Sequence, residues 1–164
     1  MATIELQSNI ENSFRNENFK DISKQQFYTT EICLITTFLK KDGLYMSVSY
    51  DNGRTFSEPK KIIKDIQGIV TDIQILTNNE KFVMAFKEVT SAKQYKRAVS
   101  GLLNSKEKQF VTKPCERLEV DGEITNIQLL FRKNEVGEMI SWDYTWWKIG
   151  DQMFLNCQPH DWKL

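Results

Sequence analysis

Leu44-Tyr45-Met46-Ser47-Val48-Ser49-Tyr50-Asp51-Asn52-Gly53-Arg54-Thr55-Phe56-Ser57-Glu58-Pro59-Lys60-Lys61-Ile62-Ile63 is the stretch that decides how this chain is read. Two short runs suited to strands flank a polar turn, the pattern of a hairpin. Asp51 is expected to accept hydrogen bonds from N–H groups of its own turn. Gly53 supplies a position where positive φ carries no steric cost. Ser49 and Thr55 are placed to tie the two strand ends together, and Phe56 to return a ring to the sheet. Upstream, FYTTEICLITTFL (27–39) and the turn KKDG precede this hairpin; downstream come IVTDIQIL (69–76), TNNEK and FVMAFKEV (82–89). No segment beyond residue 30 keeps a 3.6-residue apolar period, so the chain is read as all-β.

An internal repeat sets the unit size. GIVTDIQIL at 68–76 matches GEITNIQLL at 122–130 at an offset of 54, and the same offset takes Phe56 to Phe110. One unit then holds four strands, roughly 68–77, 82–89, 94–103 and 109–118, the size of a propeller blade. Blade-like units are expected at roughly 14–67, 68–121 and 122–164 within a single domain, 1–164. The offset puts Tyr45, Val99 and Met153 in equivalent places. Residues 1–25 are of uncertain structure. Thr3-Ile4-Glu5-Leu6 reads as a strand, whereas Ser8 and Glu11 have capping-box spacing and Ile10 and Phe14 lie one helical turn apart.

Ser49-x-Asp51-x-Gly53-x-Thr55-Phe56 resembles the Asp-box, or BNR repeat, of the sialidase-like β-propellers. The resemblance implies antiparallel four-stranded blades, hence a partial β-propeller. A β-trefoil-like threefold barrel is the alternative, because three units of this length nearly fill the chain. In that family the box lies away from the catalytic pocket, so Ser49, Asp51, Gly53, Thr55 and Phe56 are expected to be structural. The next repeat places Leu103, Ser105 and Glu107 on the box positions and keeps only the aromatic, Phe110.

Composition excludes several functions. The 22 basic and 22 acidic residues balance, against the basic excess that phosphate binding needs. The clusters Lys60, Lys61, Lys64 and Lys93, Lys96, Arg97 are expected on solvated edges or loops. The N-terminus shows no signal peptide, and no apolar run spans a bilayer, which predicts a cytoplasmic protein with no membrane contact. Cys33, Cys115 and Cys157 are widely spaced, and His160 is the only histidine, so no metal site and no cofactor are expected. The three thiols read as reduced and partly buried, with Cys157 a loop residue beside a terminal His160. No local motif marks Arg15, Arg54, Arg97, Arg117 or Arg132 as part of a carboxylate clamp, and no nucleophile motif occurs.

Near the C-terminus Trp142, Tyr144 and Trp146 alternate with Asp143, Thr145 and Trp147. On a strand this makes an aromatic ladder, either core or a candidate binding platform that also takes in Trp147. The reading is therefore a non-enzymatic binding or assembly module on Asp-box blades, with self-association or a protein partner. A lectin-like glycan binder using these aromatics, or a sialidase-related glycoside hydrolase fragment, is the alternative. The third unit reaches Leu164 where its fourth strand should begin, and Thr3 to Leu6 of a second copy could complete it.

Overall fold

The computed structural model describes residues 23–114 and 117–160. Of these, 71% lie in antiparallel strands and none is helical. Three sheets follow one another along the chain. The first contains β1 (Ser23–Thr29), β2 (Leu34–Lys40), β3 (Gly43–Ser49) and β4 (Lys60–Lys64), paired in that order. The second contains β5 (Ile69–Asn78), β6 (Lys81–Val89), β7 (Gln94–Asn104) and β8 (Gln109–Pro114), with β9 (Leu118–Val120) also pairing β7. The third contains β10 (Glu123–Lys133), β11 (Met139–Ile149) and β12 (Gln152–His160). Among the described residues no sheet closes into a barrel. The capping-box pair Ser8 and Glu11 and the segment at residues 3–6 lie outside the described residues.

The chain divides into two compact units. The first is built on residues up to Ile66 with Leu103–Val111, the second on Gln67–Leu102 with residue 112 onward. In the first, Leu34 and Phe38 are buried with Phe27, Tyr45 and Phe56 packed against them. The Phe38 and Tyr45 rings stack at 5.7 Å. The Tyr50 hydroxyl donates to the Gln109 carbonyl (2.7 Å) and Lys60 Nζ to the Phe110 carbonyl (3.1 Å), which binds residues 103–111 to this unit.

In the second unit two sheets share a core of Val83, Ala85, Ala98, Val120, Ile124, Ile127 and Leu129, with Trp147 against it. This interface is only partly apolar. Lys81 and Lys87 lie on the same side of β6 as Val83 and Ala85, by the period of two. Lys81 Nζ donates to the Met139 carbonyl (3.0 Å) and Lys87 Nζ to the Ile124 carbonyl (3.1 Å). The Gln74 amide donates to the Ile127 carbonyl (2.6 Å), and the Ile124 N–H donates to Gln94 Oε1 (2.8 Å). Long polar side chains thus span between the sheets beside the small residues that let the sheets approach.

The repeat corresponds to a bulged first strand. The register of β5 shifts between Thr71 and Gln74, and that of β10 between Ile124 and Asn126. β1 has the same irregularity between Ser23 and Gln26. Lys24 and Asp72 both take a left-handed conformation there, at φ 51° and 59°. The offset of 54 does not extend to later strands. Asn134–Glu138 makes a longer hairpin than Asn79–Glu80, closed by the Asn134 side chain accepting from the Val136 and Glu138 N–H groups. Unequal hairpins put Arg97, opposite Phe86, where Tyr45 stands opposite Phe38; Val99 and Met153 are not its equivalents.

The repeat glycines have a steric cause. A Cβ on Gly68 would lie 2.3 Å from the Val89 carbonyl oxygen, and one on Gly122 would lie 2.0 Å from that of Lys148. Both obstacles are backbone on the paired strand, which cannot yield as a flexible side chain does. Gly122→Ala should therefore destabilise by about 1–3 kcal/mol, the usual cost of forcing atoms into a packed site. Chemical denaturation of the full chain measures this.

Candidate functional site

The Ser49–Phe56 turn closes on itself by hydrogen bonds. Asp51 Oδ1 accepts from the Ser49 hydroxyl (2.8 Å) and from the Thr55 N–H (2.8 Å), and Oδ2 accepts from the Thr55 hydroxyl (2.5 Å). Ser49 Oγ accepts from the Gly53 N–H (2.8 Å). Asn52 and Gly53 take φ 61° and 85°, so the turn needs the left-handed region at two successive residues, the second a glycine. Beyond the box, Ser57 Oγ accepts from the Val48 N–H (3.1 Å), and the Ser57 N–H donates to the Val48 carbonyl (2.8 Å). Ser49, Asp51, Gly53 and Thr55 are brought together in one turn, and Phe56 packs on the Leu34–Phe38 cluster.

Burial pushes the Asp51 carboxyl up, but the bonds from Thr55 and Ser49 more than offset this and hold it at about 2. A folded value below the unfolded one contributes stability that is present above the ordinary carboxylate pKa and lost as pH falls toward 2. Asp51→Ala leaves the Thr55 N–H and both hydroxyls without their acceptor and should cost about 1–3 kcal/mol. Thermal melts from pH 7 to pH 2 should show a smaller acid destabilisation in this variant than in the parent.

β11 separates two kinds of surface. Trp142, Tyr144 and Trp146 share one face, half-buried, with ring centroids 6.3 and 6.1 Å apart in a continuous stack. Arg132 donates to the Tyr144 hydroxyl (3.3 Å). Leu155, Cys157 and Pro159 of β12 stand directly opposite these three and share their face. Met153 and Leu155 are 54% and 50% exposed. Trp147 lies on the other face, stacks on Phe154 at 5.6 Å and packs on the core. The four candidate aromatics are thus divided three to one: the ladder faces outward and Trp147 belongs to the core.

The inward face of β11 carries Ser141, Asp143 and Thr145, all buried. Asp143 receives Lys96 Nζ from β7 at 2.9 and 2.8 Å. Gln158 Oε1 takes a third bond from the same ammonium (2.9 Å), so all three of its N–H groups are used. His160 Nε2 lies 2.5 Å from Asp143 Oδ2 and must be the donor, since a carboxylate only accepts. Burial alone would raise the Asp143 carboxyl; the His160 bond and the Lys96 charge outweigh it and hold the carboxyl below its ordinary value. Both Lys96 and Asp143 have fully buried side chains.

Three sequence expectations are corrected here. Lys96 and Arg97 are not solvated: Lys96 holds Asp143, and Arg97 bonds buried Glu88 at 2.9 Å. Glu88 also accepts from the Gln67 and Gly68 N–H groups, at 2.6 and 2.9 Å. His160 is a buried strand residue, not a loop terminus, because Asp143 gives it a partner. Cys157 lies on the same strand and is exposed, whereas Cys33 is buried and its thiol is pushed up by that burial. Cys115 and Arg15 lie outside the described residues. The remaining arginines serve separate contacts, Arg117 over the Tyr95 ring (4.4 Å) and Arg54 in the box turn. A single charge alternating with apolar residues on a strand, as at Asp143, was the signal available for the buried cluster.

No family model, no curated protein and no solved structure matches this chain.

Removing one member of a buried, fully bonded pair strands the other charge. Lys96→Met or Asp143→Leu alone should cost about 3–5 kcal/mol, and the double variant should recover much of that loss. A double-mutant cycle in urea is the measurement.

Proposed function

We propose that this chain is a non-enzymatic binding and assembly module, built on Asp-box blades in a partial β-propeller and joining copies of itself through β12. The observation that carries this reading is the third sheet. The first two sheets continue past their third strand, whereas among the described residues β12 has β11 on one side and no strand on the other. β12 is nine residues long and exposes Met153, Phe154 and Leu155. Long apolar edges pair with another chain unless something blocks them. Pro159, which lacks an N–H donor, is tolerated on such an edge. The sequence Thr3-Ile4-Glu5-Leu6 of a second copy has the alternating character of a strand that could add there. The bulged first strands, the Asp-box turn and pairing confined within each sheet support blades over a threefold barrel.

The outward stack of Trp142, Tyr144 and Trp146 favours a second reading, a lectin-like surface for sugar rings, since stacked aromatics offer flat apolar area with polar edges.

Light scattering of the full chain at micromolar concentration tests the first reading. A mass at or above twice 19.3 kDa, falling to the monomer when residues 1–7 are deleted, is expected. A monomer unchanged by the deletion overturns it. A glycan array tests the second: binding that Trp146→Ala abolishes without lowering the melting temperature would make the ladder a sugar platform.

A further inference from the structure

We propose that the cavity between the bulges of β5 and β10 binds a small zwitterion, an α-amino acid with an aliphatic side chain. The cavity holds about 290 Å³, at the small end of ligand sites. It lies where both repeat strands leave register, between Thr71 and Gln74 and between Ile124 and Asn126. A bulge gives up ladder pairing and re-aims side chains, and bulges concentrate beside functional sites. Here two occur close to the same place in each repeat strand, and residues of both line one cavity. At the first, Asp72 takes φ 59°, the left-handed conformation that aspartate and asparagine adopt more readily than other non-glycine residues.

The chemistry of the walls selects the ligand. Lys87 and Gln74 brace the mouth through the Ile124 and Ile127 carbonyls, at 3.1 and 2.6 Å. Lys87 keeps two N–H donors after that bond, and Gln74 keeps its side-chain carbonyl. Asp72, an exposed residue, and Lys87 both line this cavity, and no ion pair joins them. Ile73, Ile124 and Ile127 form the apolar wall. A molecule with an ammonium for Asp72, a carboxylate for Lys87 and a branched hydrocarbon for the isoleucines answers all three features. A lone cation or anion answers one charge, and a neutral polyol answers neither. The site shares no lining residue with the Asp-box turn, the ladder or the β12 edge, so it stands or falls independently of the assembly reading.

The test is an amide NMR titration of the ¹⁵N-labelled full chain with L-valine. Isobutylamine and 3-methyl-2-oxobutanoate, each carrying one of the two charges, and the polyol myo-inositol are the comparisons. Valine should give saturable shifts confined to residues 71–74, 87 and 124–127, with every comparison compound at least about tenfold weaker. Asp72→Asn preserves the left-handed backbone, which asparagine tolerates, and should weaken valine about tenfold, as should Lys87→Met, while Lys87→Arg retains binding. If Lys87→Met does not fold, the Asp72→Asn and Lys87→Arg titrations decide. The absence of saturable shifts at millimolar valine, or equal responses to valine and any comparison compound, overturns the proposal.

Discussion

The bond between Lys96 and Asp143 sets the phase of the second unit. Two full charges out of water are tolerated because each is met completely: three acceptor contacts on the ammonium, and donors from two residues on the carboxylate. Because strand side chains alternate, sending Asp143 inward sends Ser141, Thr145 and Trp147 inward with it. Trp142, Tyr144 and Trp146 then have to face outward. A slip of one residue would bury three aromatics and expose the carboxylate, leaving Lys96 without its counterion. The outer aromatic surface is thus a consequence of an inner electrostatic one.

The same constraint explains the character of the interface between the two sheets. Lys81, Lys87 and Gln74 cross it to backbone carbonyls, which small neighbours such as Ala85 and Ala98 leave within reach. Such bonds are directional, whereas apolar burial is not, so the interface is specified by position more than by volume. His160 extends this network to the last described residue of β12 and fixes the strand, whose other edge has no partner among the described residues. A well-anchored edge strand is a better template for a partner than a frayed one, which links the buried cluster to the assembly reading.

The first unit depends on local chemistry instead. Every bond of the Ser49–Thr55 turn runs between residues at most four apart, so the turn carries its own instructions. It was legible for that reason: hydroxyl, carboxylate and glycine at fixed spacing specify one turn. The repeat was legible in its first strand because both copies keep the glycine that the close backbone of the paired strand demands. Its phase was lost beyond that strand, since hairpins of different length, such as Asn134–Glu138, shift later strands without disturbing any nearby pattern.

The amino-acid sequence by itself determined the all-β character, the positions of the hairpins and the box turn, and the division of β11 into two alternating sets of side chains. It did not determine which set faces inward. Trp142, Tyr144 and Trp146 read as core more readily than as surface, and Lys96 reads as an ordinary solvated cation. Only the approach of β7 to β11, between residues 47 positions apart, decides the matter. The physical reason is that burying a charge is favourable or ruinous depending on a partner, and a partner brought by tertiary contact leaves no mark on the local pattern.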